Sequence, residues 1–300
     1  MKGFDTAKII LVMFLWAICF PLITAGFAFA PHLTFATLRA FLAGAVLVAV
    51  GFALGRPVPK GVRIWTILIF VGLGATSLGF VGMFHGAEFV SPGIATVIAN
   101  TQPLLAAILA VMFLGEHLGA VGKFGLMLGF AGIVFIAAPQ LVTSQAESYA
   151  LGIAYILLAA LGITVSNVLI KRIAGEVDAI MAMGFQMLIG GFPLLVAAFA
   201  FEEPQNVIWS LRFVLILAGL SLFGSALVYW LWVSILEGMA LTRANSFTFL
   251  VPVFGLTMGA LFYGETLGWP EFVGIGLTLL GIGLVNRKAL TMPRNLEHYR

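Results

Sequence analysis

From Ile9 to Pro31 no residue carries a formal charge, and runs of this kind recur along nearly the whole chain. A helix needs about 20 apolar residues to cross the hydrocarbon of a bilayer. Ten stretches qualify: roughly 8–28, 33–54, 63–84, 92–114, 121–138, 149–170, 179–201, 208–233, 242–263 and 270–287. Helix-breaking and charged clusters separate them, such as Gly55-Arg56-Pro57, Ser91-Pro92-Gly93 and Glu202-Glu203-Pro204. The chain is 62% hydrophobic and 9% charged, against about 25% charged in a soluble domain. So much apolar surface calls for lipid as the solvent, and in lipid only helices or closed barrels satisfy the backbone. The predicted fold class is therefore an all-α membrane protein with ten transmembrane helices. Ile9 onward is read as a retained span, because no small-residue cleavage site follows a short apolar core.

The segment Pro103 to Ile133 returns 149 residues later as Pro252 to Ile282. In that register Pro103 meets Pro252 and Phe113 meets Phe262. Gly115-Glu116 meets Gly264-Glu265, Leu118-Gly119 meets Leu267-Gly268, and Gly132-Ile133 meets Gly281-Ile282. Each copy is an apolar segment, a Gly-Glu-x-Leu-Gly turn and a second apolar segment. A fixed-period self-similarity of this kind marks an internal duplication.

Basic residues orient the spans. With the N-terminus in the cytoplasm, thirteen Lys and Arg fall on inside segments. Arg212 alone falls outside, and Arg39 lies within the second span. Ten spans divided in two leave five per half, an odd number, so the halves enter the membrane upside down relative to one another. The expected domains are 1–140, an inverted second repeat at 141–288, and a cytoplasmic tail at 289–300. Inverted repeats are a recurring plan of secondary transporters, with the substrate near the midplane between the halves.

Several classes are excluded or made remote. Cys19 is the single cysteine, so there is no intramolecular disulfide and no cysteine-based metal cluster. The net charge of +3 sits in loops as a topology signal, not as a nucleic-acid surface. A G-x-x-x-x-G-K-[ST] loop, an H-E-x-x-H pair and a G-x-S-x-G elbow are all missing. No enzyme activity, cofactor or metal is expected. The rivals from other classes are a channel, disfavoured by scattered single polar residues, and a membrane-embedded enzyme, for which no facing catalytic pair exists.

Ala95 to Glu116 (ATVIANTQPLLAAILAVMFLGE) and Asn245 to Glu265 (NSFTFLVPVFGLTMGALFYGE) each centre an apolar helix on a Pro and end it on Gly-Glu. This doubled pattern over five plus five helices resembles the EamA-type branch of the drug/metabolite transporter superfamily. The run from His85 to Asn100 is most similar to the bacterial aromatic amino-acid exporters. Trp16 and Arg39 also stand where that branch often carries a Trp and an Arg. The resemblance implies a central cavity lined by spans one to four and six to nine, with five and ten peripheral. It also implies export of amino acids or related metabolites across the bacterial inner membrane. Sugars, nucleotide sugars and drug-like compounds are the alternative cargo, although an anionic nucleotide would call for more than one basic residue within the spans.

Polar side chains within lipid are costly and tend to face an interior path. Asn100 and Gln102 precede Pro103, and Asn245, Ser246 and Thr248 precede Pro252. Each Pro removes a backbone donor and frees a carbonyl, which makes Pro103 and Pro252 the expected hinges. Ser166, Asn167, Gln186, Ser225 and Tyr229 form a second polar set, and all of these amides and hydroxyls are equally suited to joining helices. His85, the repeat counterpart of Ser234, could bond a substrate carboxylate or amine and titrate near neutral pH. Arg39 could hold a carboxylate by two bonds, pair with Glu88, or reach the headgroups. Trp16, Phe84, Tyr229 and Trp232 are the expected cavity-facing rings, and Trp65, Trp209 and Trp269 the interfacial anchors. Glu116 and Glu265 are expected to start the fifth and tenth helices, where negative charge suits an N-terminus. The expected partners are a small-molecule substrate and the lipid bilayer, with a homodimer left open.

Overall fold

The computed structural model describes residues 3–102, 104–105, 108–109, 119–141, 146–238, 244 and 246–287. Pro103, Glu116 and Asn245, singled out above, lie outside the described residues. What is described is helical: α1 (Gly3–Ala17), α2 (Cys19–Gly26), α3 (His32–Ala53), α4 (Val62–Phe89), α5 (Pro92–Ala99) and α6 (Ala120–Leu141). There follow α7 (Ala146–Ile173), α8 (Ala179–Phe201), α9 (Leu211–Glu237), α10 (Leu250–Tyr263) and α11 (Trp269–Arg287). Among the described residues six helical segments are long and apolar enough to span a bilayer, one of them Ala7–Gly26 across the α1–α2 junction, and Ala120–Ile136, Leu250–Tyr263 and Trp269–Leu284 are shorter apolar helices. The molecule is a multi-pass membrane bundle.

The interruption between α1 and α2 falls at Ile18, where Pro21 offers no N–H to the Ala17 carbonyl four residues back. The span expected at 8–28 is thus two helical pieces. Two others run further than their apolar core suggested, α4 to Phe89 and α9 to Glu237. Both carry a π-helical stretch, Gly72–Leu78 in α4 and Gly219–Leu227 in α9. Such a stretch shifts the side-chain register and is frequent at functional sites.

Spans that correspond in the two halves pack on one another: α3 on α8, which start 147 residues apart, and α6 on α11, which start 149 apart; α5 packs on α10, within the spans expected at 92–114 and 242–263. Val62 and Leu211 open α4 and α9, and Ala120 and Trp269 open α6 and α11, each pair 149 residues apart. The α6–α11 contact is backbone against backbone. A Cβ on Gly132 would come within 2.5 Å of the Gly274 carbonyl oxygen, and one on Gly274 within 2.6 Å of the Gly132 oxygen. Without a hydrophobic drive between helices in lipid, such close approach supplies the dispersion contact that holds them.

The antiparallel α3–α8 pair is pinned at both ends. Glu202, just past α8, accepts from Leu33 N and Thr34 N at 2.8 Å each and from Thr34 Oγ1 at 2.9 Å. These are orphan donors at the start of α3. At the other end, Arg56 lies 3.7 Å from Asp178, and Asp178 itself caps α8 through Ile180 N and Met181 N.

Candidate functional site

Arg39 is the centre of a polar cluster drawn from several helices. It stands seven residues into α3, about 10 Å of helix rise from that end, and is only 2% exposed. Its Nε donates to Ser225 Oγ at 2.8 Å, and Nη2 donates to the Gly224 carbonyl at 3.1 Å and approaches Cys19 Sγ at 3.6 Å. The guanidinium carbon lies 4.3 Å from the Phe80 ring centroid and 5.9 Å from that of Phe84, a cation–π cradle. Four segments build the site: α3, the piece of the first span that begins at Cys19, α4, and the π-helical part of α9. Cys19 also donates to the Gly224 carbonyl at 3.6 Å. Tyr229, one turn beyond Ser225, is half-buried and within electrostatic reach of Arg39.

Pairing with Glu88, one of the three alternatives for Arg39, is not formed: a Glu88 carboxylate oxygen lies 3.3 Å from His32 Nδ1. Nor does Arg39 reach toward headgroups. Burial under two aromatic rings and a three-sided hydrogen-bond cage holds it inside.

A second cluster joins three expected residues. The Trp16 and Trp232 rings lie 4.9 Å apart at an angle of 58°, and Trp232 Nε1 donates to Asn167 Oδ1 at 3.1 Å. Trp232 is buried and Trp16 half-buried. Indole rings of this kind pack an apolar body while their single N–H finds a partner.

The other polar candidates join helices. Asn100 Nδ2 donates to the Thr248 carbonyl at 2.8 Å, tying α5 to the turn before α10. Ser166 Oγ donates to the carbonyls of Val71 (3.2 Å) and Gly162 (2.8 Å). The Gln102 carbonyl is reached by Thr164 Oγ1 at 3.5 Å. Gln186, fully buried, accepts from Thr76 Oγ1 at 2.9 Å. Gln186 on α8 stands to Thr76 on α4 as Arg39 on α3 stands to Ser225 on α9, at offsets of 147 and 149 residues. Pro252 sits where the 3-10 turn Ser246–Phe249 passes into α10.

His85 belongs to a third group, near the end of α4. It is half-buried, its ring centroid is 5.7 Å from that of His32 and 5.2 Å from that of Tyr155, and its Nδ1 meets no partner among the described residues. Beside this group opens a pocket of about 610 Å³ lined in part by Glu88, Tyr149, Glu265 and Glu271. Glu265 does not start the last helix. Its Oε1 accepts from Gly93 N at 2.8 Å and so caps α5, in the other half of the chain. Opposite charge still meets a helix N-terminus, but α10 and α5 pack together and bring this N-terminus within reach.

Sequence reasoning missed Cys19, Phe80, Gly224, Thr76 and Glu202. Phe80 carried a signal, four residues before Phe84 and hence on the same helical face. Thr76 carried one too, as a polar residue within a span and 149 residues before Ser225; the roles of Cys19, Gly224 and Glu202 depend on a neighbouring helix.

Two stretches, residues 7–138 and 150–287, each match the profile of the EamA-like transporter family. A WAT1-related chloroplastic protein of Arabidopsis thaliana is 36% identical over 262 residues, covering 84% of this chain; the chain spans 62% of that longer relative. An uncharacterized transporter of Synechocystis sp. is 34% identical over 271 residues, covering 84% of this chain and 81% of the relative. The uncharacterized inner membrane transporter YedA of Escherichia coli is 26% identical over 93% of this chain and 89% of its own length. One solved protein structure superposes with a TM-score of 0.70 at 18% identity, covering 95% of this chain and 98% of that one, a likeness of fold. Matched along both halves, and similar to transporters along most of its length, the chain belongs to the EamA-like transporter family.

Proposed function

We propose that this secondary transporter exports neutral amino acids, aromatic ones foremost, across the bacterial inner (plasma) membrane by alternating access. In this reading, residues 1–140 and 141–288 are two inverted five-helix repeats, with the termini and the tail 289–300 in the cytoplasm. The observation that carries it is the packing of helices on their counterparts in the other half, α3 on α8 and α6 on α11. A pseudo-two-fold axis between such pairs lets the two halves exchange conformations, the motion by which repeat transporters expose a central site to each side in turn. That one family profile matches both halves supports the same division.

The cargo is drawn from the side chains near the junction of the halves. Trp16, Trp232 and Phe84 offer aromatic surface, and Asn167, Ser225, Tyr229 and Arg39 offer polar contacts. Asn100, Gln102, Ser166, Gln186 and Asn245 complete the proposed lining, with the first four also tying helices. His85, with an unpartnered Nδ1, is the group in which proton coupling would reside. Pro252 is the hinge on α10, where 3-10 and α geometry meet, and Pro103 is its expected twin. The partners are a small-molecule substrate and the bilayer, without nucleic acid or cofactor.

The test is uptake of labelled Trp, Phe, Thr, Lys and Glu into liposomes holding the purified protein, with and without a pH gradient. Saturable movement of Trp and Phe, with Lys and Glu excluded, is expected. Flux confined to sugars or amphipathic drugs would replace the amino-acid assignment and leave the two-repeat mechanism in place.

A further inference from the structure

We infer that the Arg39 cluster is an anion site completed by a carboxylate of the cargo, so that a carboxylate is an obligatory part of any substrate. The inference deepens the proposed function, and rests on its reading of the Arg39 region as part of the transport path.

The guanidinium has five N–H donors and is charged at any physiological pH. Nε and Nη2 are used by Ser225, Gly224 and Cys19. Nη1 is buried and has no acceptor among the described residues. Every group that does bond to the guanidinium is neutral. Arg56–Asp178 and Arg63–Glu176 are ion pairs, and Glu88 lies against His32; none of these carboxylates reaches Arg39. Arg39 is therefore a cation about 10 Å along an apolar span long enough to cross a bilayer, 2% exposed, with hydrogen bonds but no counter-charge among the described residues.

A structural arginine in lipid is cheapest when a carboxylate from a neighbouring helix neutralises it. Ser225, Gly224, Cys19 and the Phe80 face orient the guanidinium and leave its charge uncancelled. This arrangement suits a group that must accept an anion and later release it, since a resident carboxylate would compete with the ligand. The two spare N–H bonds of Nη1 lie on one nitrogen, so the expected contact is a charge-assisted bond to one or both carboxylate oxygens. The site's flanking backbone can adjust: α9 is π-helical at Gly224 and Ser225, and the first span is interrupted just before Cys19.

The consequence is a selection rule that cuts across side-chain chemistry. Zwitterionic amino acids and simple organic acids satisfy it, while amines, neutral sugars and cationic drugs do not. The experiment is ligand-induced thermal stabilisation of the full-length protein in lipid nanodiscs. It uses pairs matched in shape and differing in the acid group: tryptophan against tryptamine, phenylalanine against phenethylamine, gluconate against glucose. Sodium chloride is titrated in parallel to separate a small inorganic anion from a carboxylate. The acid member of at least one pair should bind at least tenfold more tightly than its partner. Arg39→Gln should weaken acid binding about ten- to a hundredfold, the range for a hydrogen bond to a charged group, and Arg39→Lys should restore part of it.

Gluconate binding with tryptophan inert would refute the aromatic-cargo reading and uphold the carboxylate rule. Equal binding of acid and non-acid members, no binding of any acid, saturation by chloride at the same site, or undiminished acid binding by a folded Arg39→Gln protein would each overturn the rule. The wild-type pairs decide the matter even where a variant does not fold.

Discussion

Glu202 offers a quantitative test of how the helix bearing Arg39 is held. Its two carboxylate oxygens receive Leu33 N, Thr34 N and Thr34 Oγ1, all at 2.8–2.9 Å, from a residue 168 or 169 positions away. Losing a side-chain cap costs about 0.5–2 kcal/mol, and losing a negative charge at a helix N-terminus about 0.3–1 kcal/mol, more where it is partly buried. Glu202→Ala is therefore expected to destabilise the protein by about 2–3 kcal/mol, which lowers the folded-to-unfolded ratio at least about thirtyfold. Glu202→Gln keeps an acceptor and loses the charge, and should cost about half as much. Glu265→Gln is the internal comparison. That carboxylate accepts from Gly93 N alone, and its Oε2 has no partner among the described residues, so its loss should cost about 1 kcal/mol. Denaturant titrations of the three variants in mixed lipid–detergent micelles measure these differences. A Glu202→Ala protein within about 0.5 kcal/mol of wild type, or one no less stable than Glu265→Gln, would refute the idea that α8 anchors α3 through this cap.

Three further outcomes are expected. Gly274→Val should separate α6 from α11 and cost about 1–3 kcal/mol, because its Cβ would meet the Gly132 oxygen at 2.6 Å and Ile136 N at 2.8 Å. Gly276→Val, on the same helix with nothing within 4 Å of its Cβ, should leave stability near wild type in the same titration. Trp232→Phe and Asn167→Ala should be coupled by about 1 kcal/mol in a double-mutant cycle of stability, because each removes the same 3.1 Å hydrogen bond; additive losses would dissolve the pair. Pro252→Ala should lower kcat more than it raises KM in liposome transport, if the proposed hinge on α10 bends during the cycle. An unchanged kcat would remove Pro252 from the hinge.

The candidate site was only partly legible before the fold was known. Arg39, Ser225 and Phe84 were each named for being polar or aromatic within a span, and the structure brings them together. Asn100, Ser166 and Gln186 were named on the same ground, and the structure spends them on neighbouring helices. Pairing of Arg39 with Glu88 was one alternative, yet Glu88 lies against His32. A polar residue in an apolar run reveals that it needs a partner. It does not reveal which helix brings one.

The sequence by itself determined the solvent of this protein, the positions of its long apolar helices and the existence of two related halves. Those properties are one-dimensional: the length of an apolar run is set by the bilayer thickness, and identity at a constant offset needs no geometry. Tertiary structure decided which face of each helix is interior. Lipid-facing and buried faces are both apolar, so Phe199 (70% exposed) and Phe35 (0%) read alike in the chain. It also decided the partners: Arg39 with Ser225 across 186 positions, Glu265 with the N-terminus of α5, and Glu202 with that of α3. In a medium that cannot satisfy polar groups, each of these contacts forms only where packing delivers a second helix to the right depth.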